Sequence, residues 1–316
     1  MGAMAASLLF MPLFGVGYTV IVNLLLLVVL AVVLAPRRGR FWRVLPICFC
    51  GVLAVWANNH YALQGIGVIR DNEYNTIRVH TIEKEQSRIL ELNRTGASKY
   101  AENIEFRFPY IAYLQRNFLD HLAFADEPKD ILVIGAGGFV LGLEDGYNRY
   151  TFVDIDDDLL EVSETYLLQQ KLGENKVFYP EPARGFLARD TKQYDMVLLD
   201  VYTNIHGIPP QLLTMEFLQE LRDKLKMKGV LVANIVTTAN FSERFSIAFD
   251  NTFRQVFSHF TRQVVQDFNP WSADDRDYQN ILYIYQNLEY GDAVYTDDKN
   301  TLVYDRPLLG CNYRRL

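Results

Sequence analysis

The sequence predicts an α/β fold built on a mostly parallel sheet, with a small β-rich subdomain before it and an apolar membrane segment at the start. Three observations predict this. Apolar runs of strand length alternate with amphipathic stretches of helix length from about residue 130 to 286, the pattern of a parallel sheet covered on both faces. The run Asp130-Ile-Leu-Val-Ile-Gly-Ala-Gly-Gly138, followed by Tyr150-Thr-Phe-Val-Asp154, reads as a buried strand, a glycine turn and a second strand ending in a carboxylate. Met1 to His60 contains no Asp or Glu and is apolar over most of its length.

Ala5 to Ala35 is apolar almost throughout, and its core Val20 to Leu34 is interrupted only by Asn23. That exceeds a signal-peptide core and is expected to span a bilayer. The basic cluster Pro36-Arg-Arg-Gly-Arg-Phe-Trp-Arg43 follows the apolar stretch, where a signal peptide would carry its charge in front, and the positive-inside rule places it in the cytosol. A second run, Val44 to Ala57, has a length at which spanning, re-entrant and interfacial helices are hard to tell apart. Were it to cross fully with the arginines inside, the following domain would lie outside, where nucleoside cofactors are scarce. The glycine motif therefore favours a cytosolic domain, with the second run tucked into the inner leaflet or the arginine loop on the other side. The expected divisions are an anchor over 1–69, a β-rich subdomain over 70–125, a nucleoside-binding domain over 126–290 and a tail over 291–316.

The only charges before residue 61 are Arg37, Arg38, Arg40 and Arg43; taking these four from 31 Lys and Arg leaves 27 against 38 acids, about −11 for the remainder. Such a domain repels nucleic-acid phosphates and attracts cations, a sign that fits a polyamine-like substrate. Cys48, Cys50 and Cys311 form neither a disulfide framework nor a metal-ligand spacing, so a reducing compartment and no metal are expected.

Asn72 to His80 alternates and is followed by Arg88 to Leu92, the pattern of paired antiparallel strands, with Asn93-Arg-Thr-Gly96 as a turn. A helical stretch from Pro109 to Ala123 leads into the glycine strand. Beyond it come Leu159 to Gln169, Val177 to Tyr179, Ala183 to Arg189, Met196 to Asp200, Gln211 to Leu225, Val230 to Ile235 and Phe241 to Phe257. Gln263 to Phe268 and Asn280 to Tyr285 are expected as an antiparallel edge pair. The whole is read as Rossmann-like.

In such sheets ligands bind at the carboxyl ends of the strands. Gly135, Gly137 and Gly138 let backbone N–H groups approach a ligand, and Asp154 stands where a carboxylate takes both hydroxyls of a ribose. Asp156, Asp157 and Asp158 crowd the same strand end. A pyrophosphate would be repelled there, whereas S-adenosylmethionine and its relatives carry positive charge and no phosphate. Asp154 could instead cap the next helix, and Glu181 could be a solvated loop residue. Asp200 ends the very apolar Met196-Val-Leu-Leu199, where solvation alone explains a carboxylate poorly.

These residues resemble the spermidine synthase (polyamine aminopropyltransferase) family, and within it the membrane-linked bacterial branch, over about Glu73 to Gln286. Glu73-Tyr-Asn-Thr-Ile-Arg-Val79 resembles the family's Tyr-Gln-x-Ile-x-Val strand, Phe108-Pro-Tyr110 its helix entry and Tyr194-Asp-Met-Val-Leu-Leu-Asp200 its Tyr-Asp-Val-Ile-x-x-Asp strand. Pro209 to Phe217 is similar to its Pro-x-x-Leu-x-Thr-x-Glu-Phe helix start, Lys228-Gly-Val-Leu-Val232 to the next strand and Thr296-Asp-Asp298 to a late motif.

The resemblance implies aminopropyl transfer from decarboxylated S-adenosylmethionine to an amine such as putrescine. It puts Gly135, Gly137, Gly138, Asp154, Glu181 and Ala183 at the cofactor, and Tyr74, Asn75, Tyr110 and Tyr202 at the substrate. Asp200 is then the candidate amine contact and base, with Tyr202 and His206 lining the acceptor side; His206, on a loop, reads either as a second base near neutral pH or, more commonly for such a position, as a surface histidine. The sequence also departs from the family. The second acid of Asp-x-x-Asp falls on Thr203, the acid of the glycine loop on Gly138, the Asp before Ala-Arg on Pro182 and the Gln after Tyr74 on Asn75. An S-adenosylmethionine-dependent methyltransferase and a non-catalytic nucleoside-binding membrane protein therefore stand as alternatives. The expected partners are a small-molecule amine and the lipid bilayer, not nucleic acid, with room for a homo-oligomer.

Overall fold

The computed structural model describes residues 11–34, 40–57, 60–122, 125–202, 207–265 and 278–288. His206, Thr203, Cys311 and the Thr296-Asp-Asp298 motif lie outside them.

The chain opens with helices α1 (Met11–Leu34), α2 (Arg40–Ala57) and α3 (His60–Gly65), of which α1 and α2 pack on each other. Asn23 fits the apolar α1 because its Nδ2 donates to the Thr19 carbonyl one turn back, at 2.9 Å. Leu25, Leu26, Leu27, Val29 and Leu30 of α1 and Phe49, Val52 and Trp56 of α2 are exposed. Among the described residues no helix is long and apolar enough to cross a membrane, several side chains of α1 and α2 lying outside that description. Read along its sequence, α1 is 24 residues without a charge.

Four antiparallel strands follow in the order β1 (Val68–Asp71), β2 (Thr76–Ile82), β3 (Ser87–Leu92) and β4 (Thr95–Ala101). Asn93 and Arg94 take φ 51° and 67° and join β3 to β4, the two-residue turn whose twist matches a hairpin. The expected four-residue turn is thus shorter, and β4, unforeseen, begins within it. Helix α4 starts at Pro109, whose ring pre-sets φ at a first helical position (Pro109–Leu114), and runs on through a π-helical turn (Gln115–Leu119) into Asp120–Leu122.

The main sheet has seven strands in the order β10-β11-β9-β8-β5-β6-β7. Strands β5 (Asp130–Ile134), β6 (Arg149–Asp154), β7 (Lys176–Pro180), β8 (Tyr194–Leu199) and β9 (Leu225–Thr238) run parallel, while β11 (Tyr278–Gln286) is antiparallel to both β9 and the edge strand β10 (Thr261–Val265). Helices α5 (Asp158–Val162, extended by a π-helical turn over Ser163–Leu168), α6 (Ala183–Arg189), α7 (Met215–Asp223) and α8 (Arg244–Val256) alternate with the strands. All five residues of β5 are buried, as befits a strand covered on both faces. Ile131 and Val133 join one apolar core with Leu114, Leu119 and Phe152; Leu132 and Ile134 join the other with Phe186, Phe217 and Phe253. This is the period of two that a strand imposes.

Charge closes the other end of the sheet. Asp130 is buried beside Arg149, Lys192 and Lys226 at 2.7, 2.7 and 2.9 Å. Burial alone would raise its proton affinity, but these donors outweigh it and hold the carboxyl well below the usual range.

The small sheet is clasped to the large one by polar contacts. Asn72 Nδ2 donates to Asp156 Oδ1 and Asp158 Oδ2 at 2.7 and 2.8 Å, and Asn75 Nδ2 donates to Asp156 Oδ2 at 2.7 Å. Arg88 of β3 donates to the carbonyls of Leu167 and Leu168, and Ser98 of β4 accepts the Gly138 N–H at 2.8 Å.

Candidate active site

The strand order reverses at β5: the chain moves outward through β6 and β7, then returns to β8 on the other side. A crevice opens at the carboxyl ends of strands flanking such a reversal. Here it is a cleft of about 1330 Å³ between the small sheet and the ends of β5, β6, β8 and β9, roomy beside the ~300–1,000 Å³ of a typical single-ligand pocket.

Gly135 makes the turn at φ +93°, and a Cβ there would stand 2.0 Å from the Asp200 carbonyl oxygen, so only glycine lets the two strand ends approach. Asp200 N–H donates to the Ile134 carbonyl at 2.8 Å, and Gly135 N–H to that of Val153 at 2.9 Å. The bend, the β6 end and the β8 end thus form one unit.

Asp154 Oδ2 accepts the Ala136 N–H at 2.9 Å, and its Oδ1 accepts that of Asp156 at 3.3 Å. Burial is the first cause raising its pKa, to about 6, with the Asp156 charge adding to it and the backbone N–H groups opposing. Asp154 lines the cleft and binds the glycine bend at once. It does not cap the following helix, since no side-chain cap bond is present there.

Asp200 receives Asn234 Nδ2 at 2.9 Å and a hydrogen bond from Tyr110. Its pKa is raised: burial dominates and the two hydrogen bonds oppose it. A carboxyl so placed is a weaker acid than usual and a better proton acceptor. Tyr202 donates its hydroxyl to the Asn234 carbonyl and accepts the Val236 N–H, both at 2.7 Å. Its hydroxyl is therefore committed to β9 while the residue lines the cleft.

Of the residues singled out in the sequence, the cleft gathers Tyr74, Asn75, Tyr110, Gly135, Gly137, Asp154, Asp200 and Tyr202. Three others do not line it. Gly138 backs onto Ser98 of β4 and the turn that extends α5, where an added Cβ would stand 2.9 Å from Ser98 Cβ and 2.2 Å from Leu167. Glu181 pairs with Arg189 instead, its N–H held by the Asp154 carbonyl at 2.7 Å. Ala183 packs into the core formed around Phe186.

The acidic rim also differs from its expected use. Asp156 is fully buried and accepts amide donors from Asn72 and Asn75, and Asp158 pairs with Arg70 at 3.4 Å. Two of the three carboxylates thus hold the clasp, and Asn75 donates to one of them as it lines the cleft. Ligand oxygens of Asp156, Asp157 and Asp158 lie within 4.8 Å of one another.

Sequence reasoning missed Asn234 and Ser98. Asn234 left a signal, an amide in the apolar run Val230-Leu-Val-Ala-Asn-Ile-Val236. Ser98 left none, since its role exists only once β4 docks on the glycine bend.

Residues 114–266 match the family model described as the spermine/spermidine synthase domain. The chain is 34% identical over 160 residues to a polyamine aminopropyltransferase of Vibrio vulnificus, covering 48% of this chain and 50% of that protein. Polyamine aminopropyltransferase 2 of Pseudomonas aeruginosa is 29% identical over 216 residues, covering 60% of each. The chain thus spans 50% to 60% of the length of these two curated relatives. Among solved structures, a probable spermidine synthase from Corynebacterium glutamicum superposes with a TM-score of 0.56 at 21% identity, covering 71% of this chain and 81% of that one. A spermidine synthase in complex with the transition state analogue AdoDATO gives 0.53 at 16% identity, covering 70% and 73%. At these identities the likeness establishes the fold alone.

Proposed function

We propose that this chain transfers an aminopropyl group from decarboxylated S-adenosylmethionine to a small amine. The observation that carries the proposal is Asp200, a half-buried carboxylate at the tip of β8, sharing one cleft with the glycine bend and Asp154. Asp154 takes the ribose hydroxyls, and the bend cradles the rest of the nucleoside. The amine lone pair forms a bond to the propyl carbon while the carbon–sulfur bond breaks, its electron pair going to sulfur. Asp200 accepts the proton lost from nitrogen, which its raised proton affinity favours. Holding both reactants in one walled cleft supplies the alignment. Tyr74 and Tyr110 line the amine side; His206, outside the described residues, is included in the proposal as an additional base.

A second reading, use of intact S-adenosylmethionine as in a methyltransferase, is favoured by one feature: Gly138 faces Ser98 and supplies no acid for the donor's amine. Calorimetry with both donors tests this. Clearly tighter binding of the decarboxylated form supports aminopropyl transfer; tighter binding of the intact form overturns it.

The proposal includes anchoring at a bacterial inner membrane with the synthase domain in the cytosol. Its support is the uncharged 24-residue sequence of α1 and the run of exposed apolar side chains on α1 and α2, a surface that water tolerates poorly. At ~1.5 Å per residue α1 measures roughly 36 Å, against a hydrocarbon core of ~30 Å. A homo-oligomer is compatible with this reading and is not required by it.

A further inference from the structure

A second cavity lies at the edge of the main sheet, where the segment after α8 turns into β10, and it shares no lining residue with the cleft. Its volume of about 470 Å³ falls within the ~300–1,000 Å³ of small-molecule sites. Arg254, Ser258, His259, Thr261 and Gln286 bring it polar groups, and no described acid lines it, although beyond residue 60 the chain carries 38 acids against 27 Lys and Arg. Arg254 is held in one orientation. Its Nε donates to Asp250 Oδ2 at 2.6 Å, and its guanidinium lies over the Phe260 ring, 4.9 Å from the centroid. Among the described residues neither Nη makes a hydrogen bond to protein. Asp250 also lies 3.6 Å from Arg262 Nε, so one buried carboxylate answers two guanidinium groups. Arg222 brings a third to the same corner, donating to the Val256 carbonyl at 3.1 Å, where it offsets the negative end of α8. Positive charge is thus left over beside a cavity of hydrogen-bond donors.

We propose that this cavity binds the phosphate group of a small molecule, with the two Nη groups of Arg254 meeting two of its oxygens. A guanidinium fork matches such an oxyanion, and each charge-assisted bond is stronger than a neutral one. The remaining oxygens of a tetrahedral ion leave the plane of the fork, toward donors set around it: the Ser258 and Thr261 hydroxyls and the Gln286 amide. His259 Nδ1 lies 3.0 Å from Ser258 Oγ, which ties the imidazole to the same wall. Phe260 and Ile284 add apolar surface for the organic part of a phosphate ester. Nothing in this site depends on aminopropyl transfer.

The test is calorimetry on the full chain with two probes, inorganic phosphate and glycerol 3-phosphate, at about 0.15 M salt so that unspecific surface attraction is screened. The wild type is expected to bind at least one probe with a Kd of about 1 mM or tighter. Equal affinity assigns the free ion, and tighter glycerol 3-phosphate assigns an ester. Arg254→Gln is expected to weaken binding by at least about tenfold, the loss of a hydrogen bond to a charged group. Arg254→Lys, which restores the charge without the fork, is expected to recover only part of that loss. A wild type that binds neither probe below about 10 mM, or binding unchanged in Arg254→Gln, overturns the site. If Arg254→Gln lacks a cooperative thermal transition, Gln286→Leu decides, because it leaves the pair of Arg254 with Asp250 intact: weaker binding supports the site, and unchanged affinity overturns it.

Discussion

Ala136 donates its backbone N–H to Asp154 Oδ2 at 2.9 Å, so the bend after β5 and the tip of β6 are joined before any ligand arrives. The same carboxylate is raised to a pKa of about 6 by burial. An acid with a raised folded pKa holds its proton longer when folded than unfolded, so stability falls as pH rises from about 4 to 6 and the cost is complete above that window. At roughly 1.4 kcal/mol per unit the cost is about 3 kcal/mol. Asp154→Asn should flatten the dependence of Tm on pH across this window while nucleoside affinity falls at least about tenfold. Calorimetry beside thermal melts from pH 4 to 7 checks both.

Asp200→Asn keeps the volume and removes the base. Turnover should fall by about 10²–10⁴, with nucleoside binding retained. In the wild type, the acidic limb of kcat/KM should lie above the ordinary carboxylate range, since burial raises this group, and activity should be lost as pH falls through that limb. Steady-state kinetics from pH 4 to 8 reads both effects.

The clasp between the two sheets should be costly to break. Asn72→Ala removes donors to the buried Asp156 and to Asp158, and a lost hydrogen bond to a charged group costs about 1.5–3 kcal/mol. Urea unfolding should show a lower midpoint by that measure. Tyr74, carried on the same loop, should lose its place at the cleft and KM should rise.

Restoring an acid to the glycine bend should fail. Gly138→Asp places a Cβ 2.2 Å from Leu167 Cδ2 and 2.9 Å from Ser98 Cβ, and overpacking of this kind costs about 1–3 kcal/mol. Tm should drop, and donor affinity should not improve.

Much of this was legible in the chain because the cues were local. The glycine bend, Asp154 and Asp200 each ended an apolar run, and a parallel sheet places all such ends on one edge. The hairpin β3 to β4 was half legible: Asn93 signalled a turn, but Gly96 drew it too long. What stayed hidden depended on pairing between distant segments. The charges of Asp156 and Asp158 looked like a rim for a cation until Asn72 and Asn75 were folded against them. Glu181 looked free until Arg189, eight residues on, came round on α6.

Anchoring is tested by flotation of the expressed chain with anionic vesicles at high salt. The intact chain should float even when charge is screened, through apolar contact by α1 and α2. A chain lacking residues 1–60 should remain at the bottom of the gradient.

The decisive experiment follows the aminopropyl group itself: isotope-labelled decarboxylated S-adenosylmethionine is incubated with purified protein and a panel of primary amines, and products are read by mass spectrometry. Label should appear in an aminopropylated amine together with stoichiometric 5′-methylthioadenosine, and both should vanish in Asp200→Asn. Labelled product formed equally well by that variant, or none from a wild-type protein shown to bind the donor, would contradict the role given to this carboxylate.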